Sequence, residues 1–342
     1  MKKIISFIAI TALLFACSKT DIPSTQGITE IDSIDLENKG GIIVTTSEAT
    51  FILPFGAISG GNVSKQGGGN KVTERGVHFS TDPNLSIDVV TVVSGSGSGT
   101  FSSILSALTE GTTYYIRAYA TRIKPNNTIT YYGDVLSFTT PTAIYDTVDY
   151  NGFTYNTIEI GSQVWMMENL RTTKYRDGVT PIPNVTDNSD WETTAEAAYC
   201  DYDNDSANSL IYGRLYNSYA ASNPLIAPEG WHVPSLAEFF TLTDYLGGEF
   251  AGGRMKEAGF THWSSPNTGA DNSSGFTAVG AGRRSFTGGF QSLGEKNNFW
   301  TSWTGYQLFL LDYDSGSWGY ASGTCSGDIC HRYGASVRLV KD

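Results

Sequence analysis

Residues 229–248 read EGWHVPSLAEFFTLTDYLGG, and this stretch specifies a helix together with both of its ends. Ser235 and Glu238 have the spacing of a capping box, in which each side chain bonds the backbone N–H of the other residue. Glycines at 247 and 248 supply a C-terminal stop, because glycine tolerates the left-handed backbone conformation. We therefore predict a helix over residues 235–246 that is buried against a sheet. Its predicted apolar face is Leu236, Phe239, Phe240 and Thr243, widened by Leu242 and Leu246.

The composition of the chain changes near its middle. All seven tryptophans lie at position 165 or later. The N-terminal half instead contains short alternating segments, such as Ala49-x-Phe51-x-Leu53, which are separated by turn residues. Short strands at this spacing are typical of a β-sandwich. We place a first domain at residues 28–141 and a second at 145–342.

Three segments of the first domain resemble the fibronectin-III-like repeats of bacterial surface lipoproteins, and a fourth resembles the corner before strand F of fibronectin type III domains. The resemblance implies that the Tyr114 hydroxyl ties down the turn that precedes its own strand. It also implies either a binding module or a spacer that lifts the second domain off a membrane, and we favour the spacer because a fold alone does not confer a function. The segments are ERGVHFSTDPN (74–84), LTEGTTY (108–114), TYYIRAYAT (113–121) and YGDVLSFTTP (132–141).

The second domain carries a series of distinctive motifs. They are IGSQVWMMENLRTTKYRDG (160–178), YGRLYN (212–217), EGWHVPSLAEF (229–239), GFTAVGAGRR (275–284), FWTSW (299–303) and SVRLVKD (336–342). In this order they resemble the Fibrobacter succinogenes major paralogous domain. Two of them, GWHVPSLAEF and SVRLV, also resemble segments of the C-type-lectin-like and formylglycine-generating-enzyme superfamily. The resemblances imply a β-rich multidomain protein, with a fibronectin-III-like β-sandwich followed by an α+β C-type-lectin-like domain.

The first residues predict export. Two lysines at positions 2 and 3 precede an almost wholly apolar run over residues 4–15, and Ala16 and Cys17 follow it. A basic start, an apolar run and a small residue before the cleavage point are typical of a secretory signal. The run is too short to span a bilayer, which needs ~20 apolar residues.

The end of this leader resembles a bacterial lipobox, Leu14-Phe15-Ala16-Cys17. The resemblance implies a signal peptide at residues 1–16, a lipid on Cys17 and a flexible tether at 17–27; an ordinary signal peptide with a chance cysteine is the alternative. We expect a lipoprotein of the bacterial envelope, anchored in the outer membrane and facing the periplasm or the cell surface.

The charge of the chain excludes one class of partner. The formal net charge is −12, and no block of Lys and Arg occurs. Because nucleic-acid binding relies on clustered basic residues, we predict no nucleic-acid partner. The chain also shows no HExxH motif, no Ser-His-Asp order and no Gly-rich phosphate loop. We therefore expect a protein that is not an enzyme and needs no cofactor.

Three cysteines follow Cys17, namely Cys200, Cys325 and Cys330. They allow at most one disulfide among themselves. Outside the cytoplasm a disulfide is the default state of a close pair, so we predict a Cys325–Cys330 bridge and a free, buried Cys200. The formylglycine-generating enzymes bind copper with two cysteines at this spacing. In this sequence, however, Cys330 lies only eight residues before Arg338 of the SVRLVKD motif, and the corresponding interval in those enzymes is much longer.

Asp201, Asp203 and Asp205 alternate as at the start of a calcium loop. The EF-hand pattern then fails, since Ser206 replaces the glycine and Tyr212 replaces the closing glutamate. A solvated acidic turn is the preferred interpretation, and calcium binding is the alternative.

Aromatic and acidic residues alternate near the end of the chain. Aromatic faces can stack on sugars, while carboxylates bind hydroxyls, although packing in the core also explains many aromatics. We predict a non-catalytic, lectin-like domain that binds glycan or a cell-surface protein. The alternatives are an extracytoplasmic enzyme of the formylglycine-generating type and a structural envelope component. The predicted ligand-binding residues are Trp303, Tyr306, Asp312, Tyr313, Asp314, Trp318 and Tyr320.

The lipid on Cys17 is directly testable. Two or more acyl chains give a stable anchor, at ~0.8 kcal/mol per buried methylene. We expect the Cys17→Ser variant to move from the membrane fraction to the soluble fraction, and mass spectrometry of the wild type to show acyl groups on Cys17. Retention of the variant on the membrane, together with an unmodified wild-type cysteine, would contradict the prediction.

Overall fold

The structure is a computed structural model, and it describes residues 41–65, 71–124, 127–323 and 327–342. The predicted signal peptide, Cys17, the tether and the start of the first predicted domain lie outside the described residues. Within the described ranges the protein is β-rich and contains several sheets. No helix in these ranges has both the length and the apolar character needed to cross a membrane.

Eight strands build the first half of the described chain and form two antiparallel sheets. One sheet has the order β1-β2-β5, and the other has the order β4-β3-β6-β7 with β8 beside β6. Buried side chains of both sheets, such as Leu105 and Ile116, belong to one hydrophobic cluster, so the sheets face each other across a shared core. The strands are β1 (Ile42–Leu53), β2 (Gly56–Lys65), β3 (Glu74–Ser80), β4 (Val90–Val93), β5 (Gly99–Ser106), β6 (Thr113–Lys124), β7 (Asn127–Tyr132) and β8 (Leu136–Thr139).

Tyr114 makes the contact that the sequence implies. The backbone N–H of Thr109 donates to the Tyr114 hydroxyl oxygen at 2.9 Å. The buried Tyr114 ring stacks on Phe138 at 5.8 Å between centroids. The turn before β6 is therefore fixed to the core by a single side chain.

The second half contains short strands and helices joined by long loops. Its strands are β9 (Tyr145–Tyr150), β10 (Phe153–Ile160), β11 (Gln163–Met166), β12 (Tyr199–Cys200), β13 (Leu215–Tyr216), β14 (Trp231–His232), β15 (Ala281–Arg284), β16 (Phe290–Leu293), β17 (Lys296–Trp300), β18 (Tyr306–Asp312), β19 (Trp318–Gly323) and β20 (Val340–Lys341). Its helices are α1 (Asn188–Thr193), α2 (Ser206–Tyr212), α3 (Ser218–Ala221), α4 (Leu236–Tyr245) and α5 (Ala251–Met255).

Two five-stranded sheets organise this half, in the orders β14-β20-β11-β10-β9 and β16-β15-β17-β18-β19. Strands β9 and β10 form a hairpin, and Asn151 and Gly152 in its turn both have positive φ, at 50° and 84°. Two residues with positive φ give the backbone twist that suits a tight hairpin.

The predicted helix is confirmed as α4, and the capping box between Ser235 and Glu238 is present. The Phe239 ring lies 5.2 Å from Trp165 of one sheet and 4.3 Å from Phe309 of the other, so α4 joins the two sheets. Two residues of the predicted face, Leu236 and Phe240, are only half-buried, and Phe240 packs against Tyr320 of β19.

His232 links the start of α4 to Asp342, the residue that follows β20. Its Nε2 lies 2.7 Å from Glu238 Oε1 and its Nδ1 lies 2.6 Å from Asp342 Oδ1. Burial alone would lower the pKa of His232, but the hydrogen bonds and charges of the two carboxylates outweigh it and raise the pKa. The imidazolium therefore has a partner at each nitrogen.

The first half packs directly on the second. Leu53 at the end of β1 is 2 % exposed and belongs to the cluster around Trp165 and Phe239. The Phe55 N–H donates to the Ser273 carbonyl at 3.4 Å. The turn between β1 and β2 is therefore inserted into the second half.

The junction at residues 139–143, whose composition predicts an exposed linker, is partly buried. Thr140 and Ala143 are buried, whereas Thr139, Pro141 and Thr142 are exposed. The Thr140 hydroxyl donates to the Thr109 carbonyl at 2.7 Å, and Ala143 joins the same cluster as Leu53. A short segment of small residues can thus pack in an interface as well as form a linker. The domain limits 28–141 and 145–342, and independent folding of the two domains, stay predictions.

The role of Leu53 can be measured by substitution. Leu53→Ala should lower the free energy of unfolding by about 2–5 kcal/mol, because it removes buried methyl groups and leaves a cavity. Ile87→Ala is the matched control, since Ile87 is 64 % exposed. Chemical denaturation of both variants measures the difference, and equal losses would contradict the placement of Leu53.

The His232 contacts predict a pH-dependent stability. A group with a raised pKa contributes stability that is complete below its unfolded pKa, about 6.5, and is lost as the pH rises through the folded pKa. The stability advantage of the wild type over His232→Gln should therefore be largest in mildly acidic buffer and shrink in alkaline buffer. Asp342→Asn should reduce this dependence. Melting temperatures across the range test both statements, and a constant difference would exclude the proposed charge pairing.

Candidate functional site

Four of the seven predicted ligand-binding residues lie on two faces of one sheet, and the other three, Trp303, Tyr313 and Asp314, lie in the segments beside its strands. Strand β19 is the edge of this sheet and pairs with β18, with Phe309 opposite Tyr320 and Leu311 opposite Trp318. Because side chains alternate along a strand, Trp318 and Tyr320 share the face that α4 covers. Tyr306 and Asp312 point to the opposite face, so the seven residues do not form one site.

Three aromatic side chains form what we call the α4–β19 surface: Phe240, Trp318 and Tyr320. Phe240 lies 5.4 Å from Trp318 and 5.9 Å from Tyr320 between ring centroids. Tyr320 is 54 % exposed, while the other two rings are half-buried. The surface therefore presents one open ring on a packed aromatic base.

The glycine and serine neighbours of Trp318 suggest that it lies at the tip of a loop, but Trp318 lies in a strand. It begins β19, stacks on Phe309 at 5.5 Å, and its Nε1 donates to the Gly248 carbonyl at 2.9 Å. The small neighbours instead form the tight turn that leads into the strand. Trp318 thus supports the surface and is partly a packing residue.

Trp303 lies near the N-terminal end of α4. Its loop is attached there, since the Ser302 N–H donates to the Pro234 carbonyl at 2.9 Å. Trp303 is 63 % exposed. It is an open aromatic ring outside the α4–β19 surface.

The other predicted residues have different partners. Tyr306 packs against Trp300 at 6.1 Å and Tyr333 at 5.5 Å on the opposite face of the sheet. Asp312 forms an ion pair with Lys296. Tyr313 packs at the margin of the core and Asp314 is exposed in the following turn. Tyr306 and Asp312 thus pack on the face of β18 that is opposite the α4–β19 surface.

The three alternating aspartates do not converge on one point. Asp201 is buried and lies 3.1 Å from the Arg214 guanidinium. Asp205 caps α2 by accepting from the Ala207 N–H at 2.9 Å, and Asp203 is exposed. Among the described residues, no group of three or more His, Cys, Asp or Glu side chains could hold a metal ion.

Cys200 is free and buried, and burial raises the pKa of its thiol to about 12. Cys330 is disulfide-bonded. The predicted partner, Cys325, lies outside the described residues, so the pairing itself stays a prediction.

The distinctive motifs contain buried cations. Arg338 of SVRLVKD donates to the carbonyls of Phe276 at 2.7 Å and Met166 at 3.1 Å, and to Asn169 Oδ1 at 2.7 Å. Burial lowers the pKa of Arg338 to about 9. Arg284 of GFTAVGAGRR donates to the Val185 carbonyl at 2.6 Å and lies 4.4 Å from the Trp191 ring. The arginines of these motifs therefore stabilise the frame of the domain, by which we mean the strands and loops whose carbonyl groups they bind.

One imidazole–carboxylate pair lies in a separate surface groove. His262 Nδ1 is 2.9 Å from Glu257 Oε2, and the Tyr212 ring stands edge-on to the imidazole at 5.7 Å. Within the described ranges, no hydroxyl group hydrogen-bonds to His262, so a nucleophile–base pair is not assembled there.

Sequence reasoning missed the contribution of α4 to the surface. Phe240 falls on the apolar stripe of the helix, and a stripe alone does not distinguish a residue under the sheet from one at its edge. Only the strand order, which makes β19 an edge strand, gives that information.

Comparison with solved structures supplies no further argument. The sensor domain of the anti-sigma factor RsgI4 from Pseudobacteroides cellulosolvens is 17 % identical to this chain. The likeness covers 31 % of this chain and 99 % of that one, with a TM-score of 0.24. No curated protein matches the sequence.

The family of the second half is established by its sequence. The model of the Fibrobacter succinogenes major domain matches residues 158–341, which is more than half of the 342 residues. The match contains the α4 capping box, the buried arginines and the α4–β19 surface. This chain therefore belongs to the Fibrobacter succinogenes major domain family.

Proposed function

We propose that this protein is a lipid-anchored, non-catalytic component of the bacterial envelope that binds glycans through the α4–β19 surface. The observation that carries the proposal is the open Tyr320 ring, held beside Phe240 and Trp318 at the edge of a sheet. An aromatic ring of this kind offers an apolar face and a polar hydroxyl to the same ligand.

The rigidity of the surface favours binding. Tyr320 belongs to a strand that pairs with β18 over six residue pairs, and Trp318 is fixed by its bond to Gly248. A platform that is ordered before the ligand arrives loses little conformational entropy on binding. A flexible aromatic loop would lack this advantage.

The finer assignments of fold belong to the same proposal. The Tyr114 contact and the two facing sheets support a fibronectin-III-like first domain. In the second domain, β14 pairs with β20, with Trp231 opposite Lys341 and His232 opposite Val340. The two motifs that resemble the lectin-like superfamily are thus neighbours, which supports that fold.

Anchoring through Cys17 and a tether at 17–27 would place both domains outside the cytoplasm, at the outer membrane. Within the described ranges, the acidic chain offers no run of basic residues on which nucleic acid could be held.

The enzyme alternative has less support. A copper site of the formylglycine-generating type needs two free thiolates, whereas Cys330 is disulfide-bonded. We therefore favour binding over catalysis.

Substitution of Tyr320 tests the proposal on a glycan array. Tyr320→Ala should abolish the glycan signal and change the free energy of unfolding by less than about 1 kcal/mol, because the ring is largely exposed. Tyr145→Ala is the matched control, since Tyr145 is 47 % exposed on a different strand. Trp318→Ala should cost more stability, about 2–3 kcal/mol, which is below the value for a fully buried tryptophan.

Three results would count against glycan binding. The wild type could give no signal on the array, the Tyr320 and Tyr145 variants could lose it equally, or a protein ligand alone could be bound. Turnover of a peptide thiol by purified, copper-loaded protein would favour the enzyme instead.

A further inference from the structure

A groove lies between the outer face of the β1-β2-β5 sheet and the segment that follows α4. Its volume is about 310 Å³, at the small end of the range for ligand pockets. One wall comes from the first half of the chain and the other from the second half. The residues that define this interdomain groove are Ile58, Ser102, Ile104, Phe250, Arg254 and Asp271.

The first wall is an apolar pair on the outer face of a sheet. Ile58 of β2 stands directly opposite Ile104 of β5. Their neighbours Ala57 and Leu105 point into the core, so the two isoleucines point outward. Ile104 remains 49 % exposed. The second half therefore covers this pair only partly and leaves an apolar wall open.

The second wall presents an aromatic ring. Gly247 and Gly248 have positive φ, at 94° and 68°, and they turn the chain sharply after α4. Phe250 follows this turn and is 63 % exposed. Gly316, which also lines the groove, lies two residues before Trp318, and the Trp318 Nε1 donates to the Gly248 carbonyl, so the groove lies next to the α4–β19 surface.

Two opposite charges lie behind the walls. Arg254 is 5 % exposed, lies 5.1 Å from the centre of the Phe51 ring and donates to the Leu246 carbonyl. Asp271 Oδ1 accepts from the Ser273 N–H at 2.9 Å. Burial raises the pKa of Asp271 and lowers that of Arg254, so each charge is short of solvation. Additional hydrogen bonds to both groups would be favourable.

This combination selects a class of ligand. A carboxylate accepts from hydroxyl groups and a guanidinium donates to them, while isoleucine and phenylalanine contact C–H surface. A ligand with one net charge would be attracted by one of the two groups and repelled by the other, and a purely apolar ligand would add no hydrogen bond to either of them. A neutral molecule with hydroxyl groups and an apolar face satisfies all of these groups.

We propose that the interdomain groove binds one saccharide unit of the glycan whose neighbouring units lie over the α4–β19 surface. This inference rests on the proposed function. It makes the first domain one wall of the binding site, in place of the passive spacer that its fold alone implies.

The experiment uses the full chain with Cys17→Ser, so that no lipid competes, and titrates it with cellobiose, lactose, maltose, N,N′-diacetylchitobiose and the matching tetrasaccharides. Ile104→Glu puts a charge into the first wall, and Ile87→Glu is its control on an exposed isoleucine outside the groove. Phe250→Ala removes the aromatic ring, and circular dichroism verifies that each variant is folded.

We expect a tetrasaccharide to bind Ile104→Glu and Phe250→Ala about ten-fold or more weakly, as for the loss of a contact worth about 1.4 kcal/mol. Ile87→Glu should bind like the parent. Unchanged binding by both groove variants, with loss in Tyr320→Ala, would overturn the groove and leave the proposed function standing. Absence of any saccharide binding would overturn both. Decanoate is titrated in parallel as an apolar probe, and binding of decanoate alone would overturn the saccharide proposal in favour of an acyl chain.

Discussion

Buried cations that bind backbone carbonyls hold the second domain together. Lys256 is fully buried, and its Nζ donates to the carbonyls of Thr268, Asp312 and Ser315 at 2.8–3.0 Å. Arg284 and Arg338 serve other loops in the same way. A domain made of short strands and long loops has many carbonyl groups that no sheet or helix can pair, and each one buried without a partner costs free energy. One guanidinium with five donors satisfies several of them at once.

This arrangement makes the frame cooperative. A buried charge is tolerated only while its hydrogen bonds are complete. If one loop moves away, the cation loses a carbonyl partner, and the resulting cost in free energy also destabilises the other loops that this cation binds. The edge of the sheet escapes this constraint. Tyr320 is 54 % exposed and packs against Phe240, not against a buried cation. The buried arginines of the family motifs, Arg284 and Arg338, thus lie away from the ring on which the proposed glycan binding depends.

Local signals predicted the local structure. The capping box at Ser235 and the Tyr114 contact each depend on residues a few positions apart, and each appears as expected. The proposed ligand surface depends on strand order and on which face of β18 each side chain takes. Tyr306 and Tyr320 look alike in the sequence, and only the pairing of β18 with β19 separates them. In the sequence alone, the buried arginines also look like surface arginines, because the carbonyl groups that they bind lie far away along the chain.

The contact between the two halves bears on the role of the first domain. A spacer needs only length, and its surface facing the second domain could be polar and mobile. Instead Leu53 is inserted into the second core, and Phe51 lies beneath the Arg254 guanidinium. These contacts fix the angle between the outer face of β2 and β5 and the turn that carries Phe250. Because a groove between two bodies exists only while their angle is held, the insertion at Leu53 is the condition for any ligand that touches both walls.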